Sequence, residues 1–427
     1  MKFASTRGEA PSVGFSAALL QGLAPDGGLY VPQQWPDLSG LQPATLPELG
    51  ARLIGAFAVG DPLEAAIPAI TAEAFNFPAP LRPVGNTGRL DVLELIHGPT
   101  AAFKDFGARF LAASIARIPR SSSKPLRILV ATSGDTGGAV AAAFHRRPGI
   151  EVVVLFPKGL VSPAQQQQLT CWGDNVTSLA VRGTFDDCQR LVKEAFLDES
   201  LRAKVEMSSA NSINLGRLLP QAVYYAASSL AIRARSGGRA SYIIPSGNLG
   251  NAAACLWARR MGLPIDRIVL AHNANRTVPE FLASGVLTPR ASVATLASAM
   301  DVGNPSNLER LRNLFPGLQL AGEVSAWSIS DAAIKARIRA DHAAYGTTWC
   351  PHTATAAEVH AQLPEAERHG GNWVIVGTAH AAKFREIVEP LVGPVVVPAN
   401  LQHLYDLPSR FSEIGPTLKE LRLATGD

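Results

Sequence analysis

The feature that most constrains this chain is a structural plan used twice. A short run of apolar strand formers is followed by a glycine-rich turn and then by a helix former. Residues 127–146 read RILVATSGDTGGAVAAAFHR, and residues 241–261 read SYIIPSGNLGNAAACLWARRM. Further runs of the same kind are EVVVLFP at 151–157, RIVLAHN at 267–273 and WVIVGT at 373–378. Strands of Val, Ile and Leu with no polar alternation are buried on both faces. Spaced by helix-length segments, they predict α/β architecture with open, twisted, mostly parallel sheets. The repeated plan predicts two α/β subdomains facing one another across a cleft. Ligands of such sheets sit at the carboxyl ends of the strands.

Residues 1–82 read differently, as a mainly helical amino-terminal domain. A turn-rich opening, APDGGLYVPQQWPDL, precedes helical periodicity through LPELGARLIGAF and PLEAAIPAITAEAF. The proline-rich stretch FNFPAPLRPVGNTG marks the boundary, and 83–427 is expected to form the catalytic region. A chain of 427 residues is long enough for large cores. Its net charge of +4 is spread without a basic cluster, so nucleic acid is not an expected partner. No apolar run reaches membrane-span length. Lys2 and Arg7 are not followed by a signal-peptide core, so a cytoplasmic location is expected. Cys171, Cys188, Cys255 and Cys350 are scattered, as befits reduced thiols. The nine histidines show no metal-type spacing, and no metal is expected.

Five segments carry chemistry. In HGPTAAFKDFGARF, residues 97–110, Lys104 lies between Phe103 and Phe106. An apolar setting disfavours the ammonium and leaves a nucleophilic amine, as a Schiff-base lysine requires. The alternative is a lysine paired with Asp105. In PSGNLGN, residues 245–251, glycines and a helix start make a backbone cradle for a small phosphate, with no Walker lysine. An ordinary tight turn is the alternative. In ATSGDTGGAV, residues 131–140, Ser133, Asp135 and Thr136 fall at a strand's carboxyl end, where Asp135 or Thr136 could instead cap the helix. Ser212 and Arg217 in NSINLGRLLPQ pair a hydroxyl with a guanidinium, suited to a second phosphate, although a surface arginine reads the same way. Thr378 ends the strand VIVGT, where a hydroxyl could meet a heterocycle nitrogen or merely cap the strand; His380 follows it, and PHTATA places His352 before an expected helix. An amine nucleophile, two anion sites and a strand-end hydroxyl together describe a pyridoxal-phosphate site whose substrate carries its own anion.

These segments, with QGLAPDGGLYVP, FPAP, SANSINLGRLLPQ, ATLASAMDVGNPSN, CPHTATA and GTAHAAKF, give the whole chain a resemblance to the threonine synthases. These are pyridoxal-phosphate enzymes of fold-type II, the tryptophan-synthase-β-like kind, and the resemblance is to the subgroup with the longer amino-terminal domain. It implies that Lys104 binds the cofactor as a Schiff base and later moves protons. It implies that Gly247, Asn248, Leu249, Gly250 and Asn251 hold the cofactor phosphate, and that Thr378 faces the pyridine nitrogen. Thr136, Ser212 and Arg217 would bind the substrate phosphate. Asp135 would stand where related enzymes often place an Asn near the ring oxygen. The implied reaction converts O-phospho-L-homoserine and water to L-threonine and phosphate, in a monomer or weak dimer. The alternative within the same fold is a phospholyase releasing 2-oxobutyrate. The chain departs from the family pattern at Leu249, where many relatives have Phe, and at Ala101, where Leu is usual.

Overall fold

In the computed structural model, which describes all residues except 86–87, 121–123, 133 and 318, the apolar runs become the strands of two sheets. One has five strands, ordered Ser412–Ile414, Val176–Val181, Ile150–Pro157, Leu126–Ala131 and Glu206–Ser209. Every pairing in it is parallel. The other has six, ordered Ser325–Ser328, Ile265–His272, Ala240–Pro245, Asn372–Gly377, Leu90–Glu94 and Leu81–Pro83. Only its edge pair, Leu81–Pro83 with Leu90–Glu94, is antiparallel. Leu126–Ala131 and Ala240–Pro245 are buried along their whole length, which is why they show no alternation. The expected α/β architecture with two mostly parallel sheets is present.

The chain weaves between the sheets. It lays down the edge pair of the six-stranded sheet, builds most of the five-stranded sheet, and returns to the first through Ala240–Pro245. Near its end it crosses back to add Ser412–Ile414 to the five-stranded sheet.

The amino-terminal region is mainly helical, as expected, with Leu46–Gly55 and Ile67–Ala74. The first helix opens on a reciprocal cap between Thr45 and Glu48. The turn-rich opening also carries a small antiparallel pair, Phe3–Ser5 with Tyr30–Pro32, that its composition did not announce. The unit shares its core with the rest of the molecule. Phe75 packs at 6.0 Å from Phe106 and stacks at 6.3 Å on Phe110, both on the helix Lys104–Ile115. Among the described residues no helix is long and apolar enough to cross a membrane.

Candidate active site

Lys104 opens the helix Lys104–Ile115, and backbone bonds fix where it opens. The Phe103 amide donates to the Thr378 carbonyl at 2.9 Å, and the His380 amide donates to the Ala101 carbonyl at 3.0 Å. The residues just before the lysine are thereby tied to the end of strand Asn372–Gly377. Ala101 holds a left-handed φ of 51°, an uncommon cost for a residue with a side chain. The helix can approach its neighbour closely because residue 107 is glycine. A Cβ there would stand 2.5 Å from the Arg217 carbonyl oxygen. The Lys104 side chain is 16% exposed, and its Nζ lies 3.8 Å from Asp135 Oδ2. Burial pushes its pKa down, Asp135 pulls it back up, and Lys383 and Arg217 push it down again; the net shift is downward. Asp105 does not pair with it. That carboxylate accepts from the Thr100 amide at 2.9 Å and the Thr100 hydroxyl at 2.7 Å.

Lys104 lines a cavity of about 1240 Å³ that also reaches Thr136, Ser212, Arg217, Thr378 and the loop 246–251. The residues singled out from the sequence and described in the structure therefore share one space. The loop leads from strand Ala240–Pro245 into the helix Gly250–Arg260. Leu249, at φ 61°, turns the chain so that the helix begins on Gly250. A Cβ on Gly247 would lie 2.8 Å from Met300 Cα, so the loop needs glycine to close against its neighbour. Asn248 Nδ2 donates to Ser212 Oγ at 2.6 Å, which joins the loop to the second anion segment. The hydroxyls of Tyr224 and Tyr225 reach Asn251 Oδ1 at 2.6 and 2.7 Å, while the amide nitrogen of Asn251 is buried without a partner. An oriented amide N–H₂ at a helix amino terminus suits a phosphate. Thr378 Oγ1 is likewise buried and unpartnered, as a hydroxyl awaiting a ring nitrogen would be. The loop, the orphan amide and the orphan hydroxyl fit pyridoxal phosphate, with Lys104 as the amine.

Arg217 is only 3% exposed. One arm donates to the Ala210 carbonyl at 2.5 Å, its Nε has no partner, and no carboxylate pairs with it among the described residues. Burial lowers its pKa to about 10, which still leaves it charged at neutral pH. A buried guanidinium without a carboxylate partner on a cavity wall is chemically suited to an anion.

Comparisons with known proteins give the chain a family. A family model described as pyridoxal-phosphate dependent enzyme matches residues 80–379. Models described as threonine synthase N terminus and threonine synthase, C-terminal match residues 2–75 and 353–423. The threonine synthase of Haemophilus influenzae is 40% identical over 416 residues, 96% of each chain. The chain belongs to the threonine synthase family. Solved structures agree. Threonine synthase from Escherichia coli superposes with a TM-score of 0.90 at 36% identity, covering 100% of this chain and 99% of that one. Pyridoxal-phosphate-bound threonine synthase from Brucella melitensis gives 0.89 at 34% identity over 100% and 99%.

Within this member of the threonine synthase family, some expectations need correction. Neither Asp135 nor Thr136 caps its helix. The helix Asp135–Phe144 begins after Gly134, and the Thr132 hydroxyl accepts the amides of Gly134 and Gly137 at 3.0 and 2.9 Å. Asp135 is thereby free to face the lysine. Ser133 lies outside the described residues. Two site residues were missed as such. His352 lines the cavity. The Ala299 amide donates to its Nε2 at 3.0 Å, so the neutral ring carries its proton on Nδ1, which is buried and unpartnered. Burial lowers its pKa to about 4. The second is Lys383, fully buried, with Nζ 2.8 Å from Asp135 Oδ1. Flanking by Ala382 and Phe384 was its signal, the same apolar setting that singled out Lys104.

Proposed function

We infer that this chain converts O-phospho-L-homoserine and water to L-threonine and phosphate with pyridoxal phosphate bound, the last step of threonine biosynthesis. The observation that carries the reading is Arg217. A charged group buried without a counter-ion beside the lysine, and separate from the loop 246–251, is what a substrate with its own phosphate requires. When bound, pyridoxal phosphate supplies an aldehyde for a lysine amine and an electron sink for carbon-centred charge. Lys104 is the residue we assign to hold it, with Gly247, Asn248, Leu249, Gly250 and Asn251 on its phosphate and Thr378 at its ring nitrogen. Thr136, Ser212 and Arg217 are assigned to the substrate phosphate. Lys104 Nζ is then the base that moves protons at the substrate's α and β carbons.

We also propose the division into residues 1–82, an amino-terminal unit, and 83–427, the catalytic region, in a cytoplasmic monomer or weak dimer. Product analysis after incubation with O-phospho-L-homoserine tests the reaction. Threonine and phosphate in equal amounts are expected. 2-Oxobutyrate with ammonia and phosphate would instead make the chain a phospholyase.

A further inference from the structure

The proposed reaction makes no use of Lys383, yet the fold buries it completely beside the site. It lies on the short turn Ala381–Phe384. Its Nζ donates to the Thr100 carbonyl at 2.8 Å and stands 2.8 Å from Asp135 Oδ1. Gln165 Nε2 donates to the same oxygen at 3.1 Å. The other oxygen, Oδ2, is the one 3.8 Å from Lys104. One carboxylate thus sits between two ammoniums and is bonded to only one of them. Burying such a triad is expensive, and anchoring a turn does not require it, since an amide or hydroxyl would serve.

We propose that Lys383 is a positioning residue acting on Lys104 through Asp135: by bonding Oδ1 and offsetting the carboxylate's charge it denies Lys104 a full counter-ion and keeps that amine available as a free base. The other groups facing the triad do not supply the missing anion. Asp105, on the helix of Lys104, is turned to Thr100. Arg217 adds positive charge from its own helix, and His352, on Pro351–Gln362, is neutral at neutral pH. Cys350 and Tyr405, which feel the charge of Asp135, are un-ionised, because burial raises both. Burial would raise the Asp135 carboxyl, but Lys383 first and Lys104 second reverse it, so Asp135 is ionised throughout. The downward shift of Lys104 agrees with the arrangement.

The inference rests on Lys104 being the reactive amine, and one experiment separates the two. The full-length chain, stripped of cofactor, is mixed with pyridoxal phosphate from about pH 6 to about pH 10. The rate of Schiff-base formation, in which amine and aldehyde condense with loss of water, is followed by absorbance. Borohydride reduction and peptide mapping locate the adduct. An adduct absent from Lys104 in the parent overturns the assignment of Lys104, and this inference with it. With the adduct at Lys104, Lys383→Met is expected to raise the pH of half-maximal rate by about one unit or more, because Asp135 then pairs with Lys104. Asp135→Asn is expected to lower it by a similar amount, and the double variant to return it close to the parent. A purely structural role for Lys383 would leave the Lys383→Met midpoint at the parent's. A Lys383→Met midpoint unchanged or lowered overturns the proposal. Should that variant fail to fold, Lys383→Gln takes its place, and a midpoint unchanged or lowered there overturns the proposal.

Discussion

At the scale of single residues, the site is a problem of unpaired charge. Lys104 and Arg217 are basic groups in a low-dielectric wall, and neither has a carboxylate within hydrogen-bond distance. Under the proposed function each is completed by what binds. Arg217→Ala is therefore expected to raise the KM for O-phospho-L-homoserine by roughly 10- to 100-fold, the worth of one or two charge-assisted hydrogen bonds. Affinity for pyridoxal phosphate should change little. Equal losses in both would remove Arg217 from the substrate site. Lys104→Ala is expected to leave the far-ultraviolet circular dichroism unchanged while threonine formation falls to a trace. Threonine formation above a trace would refute the assignment. Lys104 and Arg217 were legible because each sits in a segment whose neighbours suggest a ligand. Lys383 had the same apolar flanks as Lys104 but no residue beside it that named a role. Only the fold shows that residues 135 and 383 meet.

At the scale of elements, the site depends on how two helices approach. The helix Lys104–Ile115 presses Gly107 against the backbone of the short helix Leu215–Leu218, which carries Arg217. The spacing between the amine and the guanidinium is thus set by one missing side chain. Gly107→Ala should improve helix propensity yet push the Arg217 backbone away, since its Cβ would meet a carbonyl oxygen at 2.5 Å. A net destabilisation of roughly 1–3 kcal/mol is expected, read as a lower denaturant midpoint, with a raised KM for the phosphorylated substrate. A stability equal to the parent's, with KM unchanged, would show that the helices part freely and that the glycine does not set the spacing. Strands buried on both faces, such as 151–157 and 241–245, were plain in the sequence. The edge strands Glu206–Ser209 and Ser412–Ile414 were not, because short, half-exposed segments carry little apolar pattern.

At the scale of the whole molecule, the weave of the chain could not be read from local pattern. That residues 412–414 return to pair with Leu179–Val181 is a long-range choice made by packing. The same packing wholly or largely buries four imidazoles, those of His272, His352, His360 and His380, and this gives the fold a definite response to acid. Burial lowers the pKa of His272 to about 3, and of His352 and His360 to about 4. Their ordinary value is 6.5. Between these limits the unfolded chain binds protons that the folded chain refuses. The stability contributed by the neutral rings is complete above pH 6.5 and is lost as pH falls toward the folded-state values. Asp301 acts in the opposite sense. Burial raises its pKa to about 6, so from there down to the ordinary carboxyl range the folded chain binds the extra proton and gains stability. His380 is lowered by burial in the same sense as the other imidazoles and Asp105 is raised in the same sense as Asp301, so four losses stand against two gains and stability falls as pH falls across this range. Urea midpoints measured at pH 7, 6 and 5 should therefore fall, most steeply between the last two. His272→Gln, which removes an imidazole whose pKa burial lowers to about 3, should flatten that slope by up to about 1.4 kcal/mol per unit. A midpoint that holds constant from pH 7 to pH 5 would mean that the imidazoles find protons, or water, inside the folded protein.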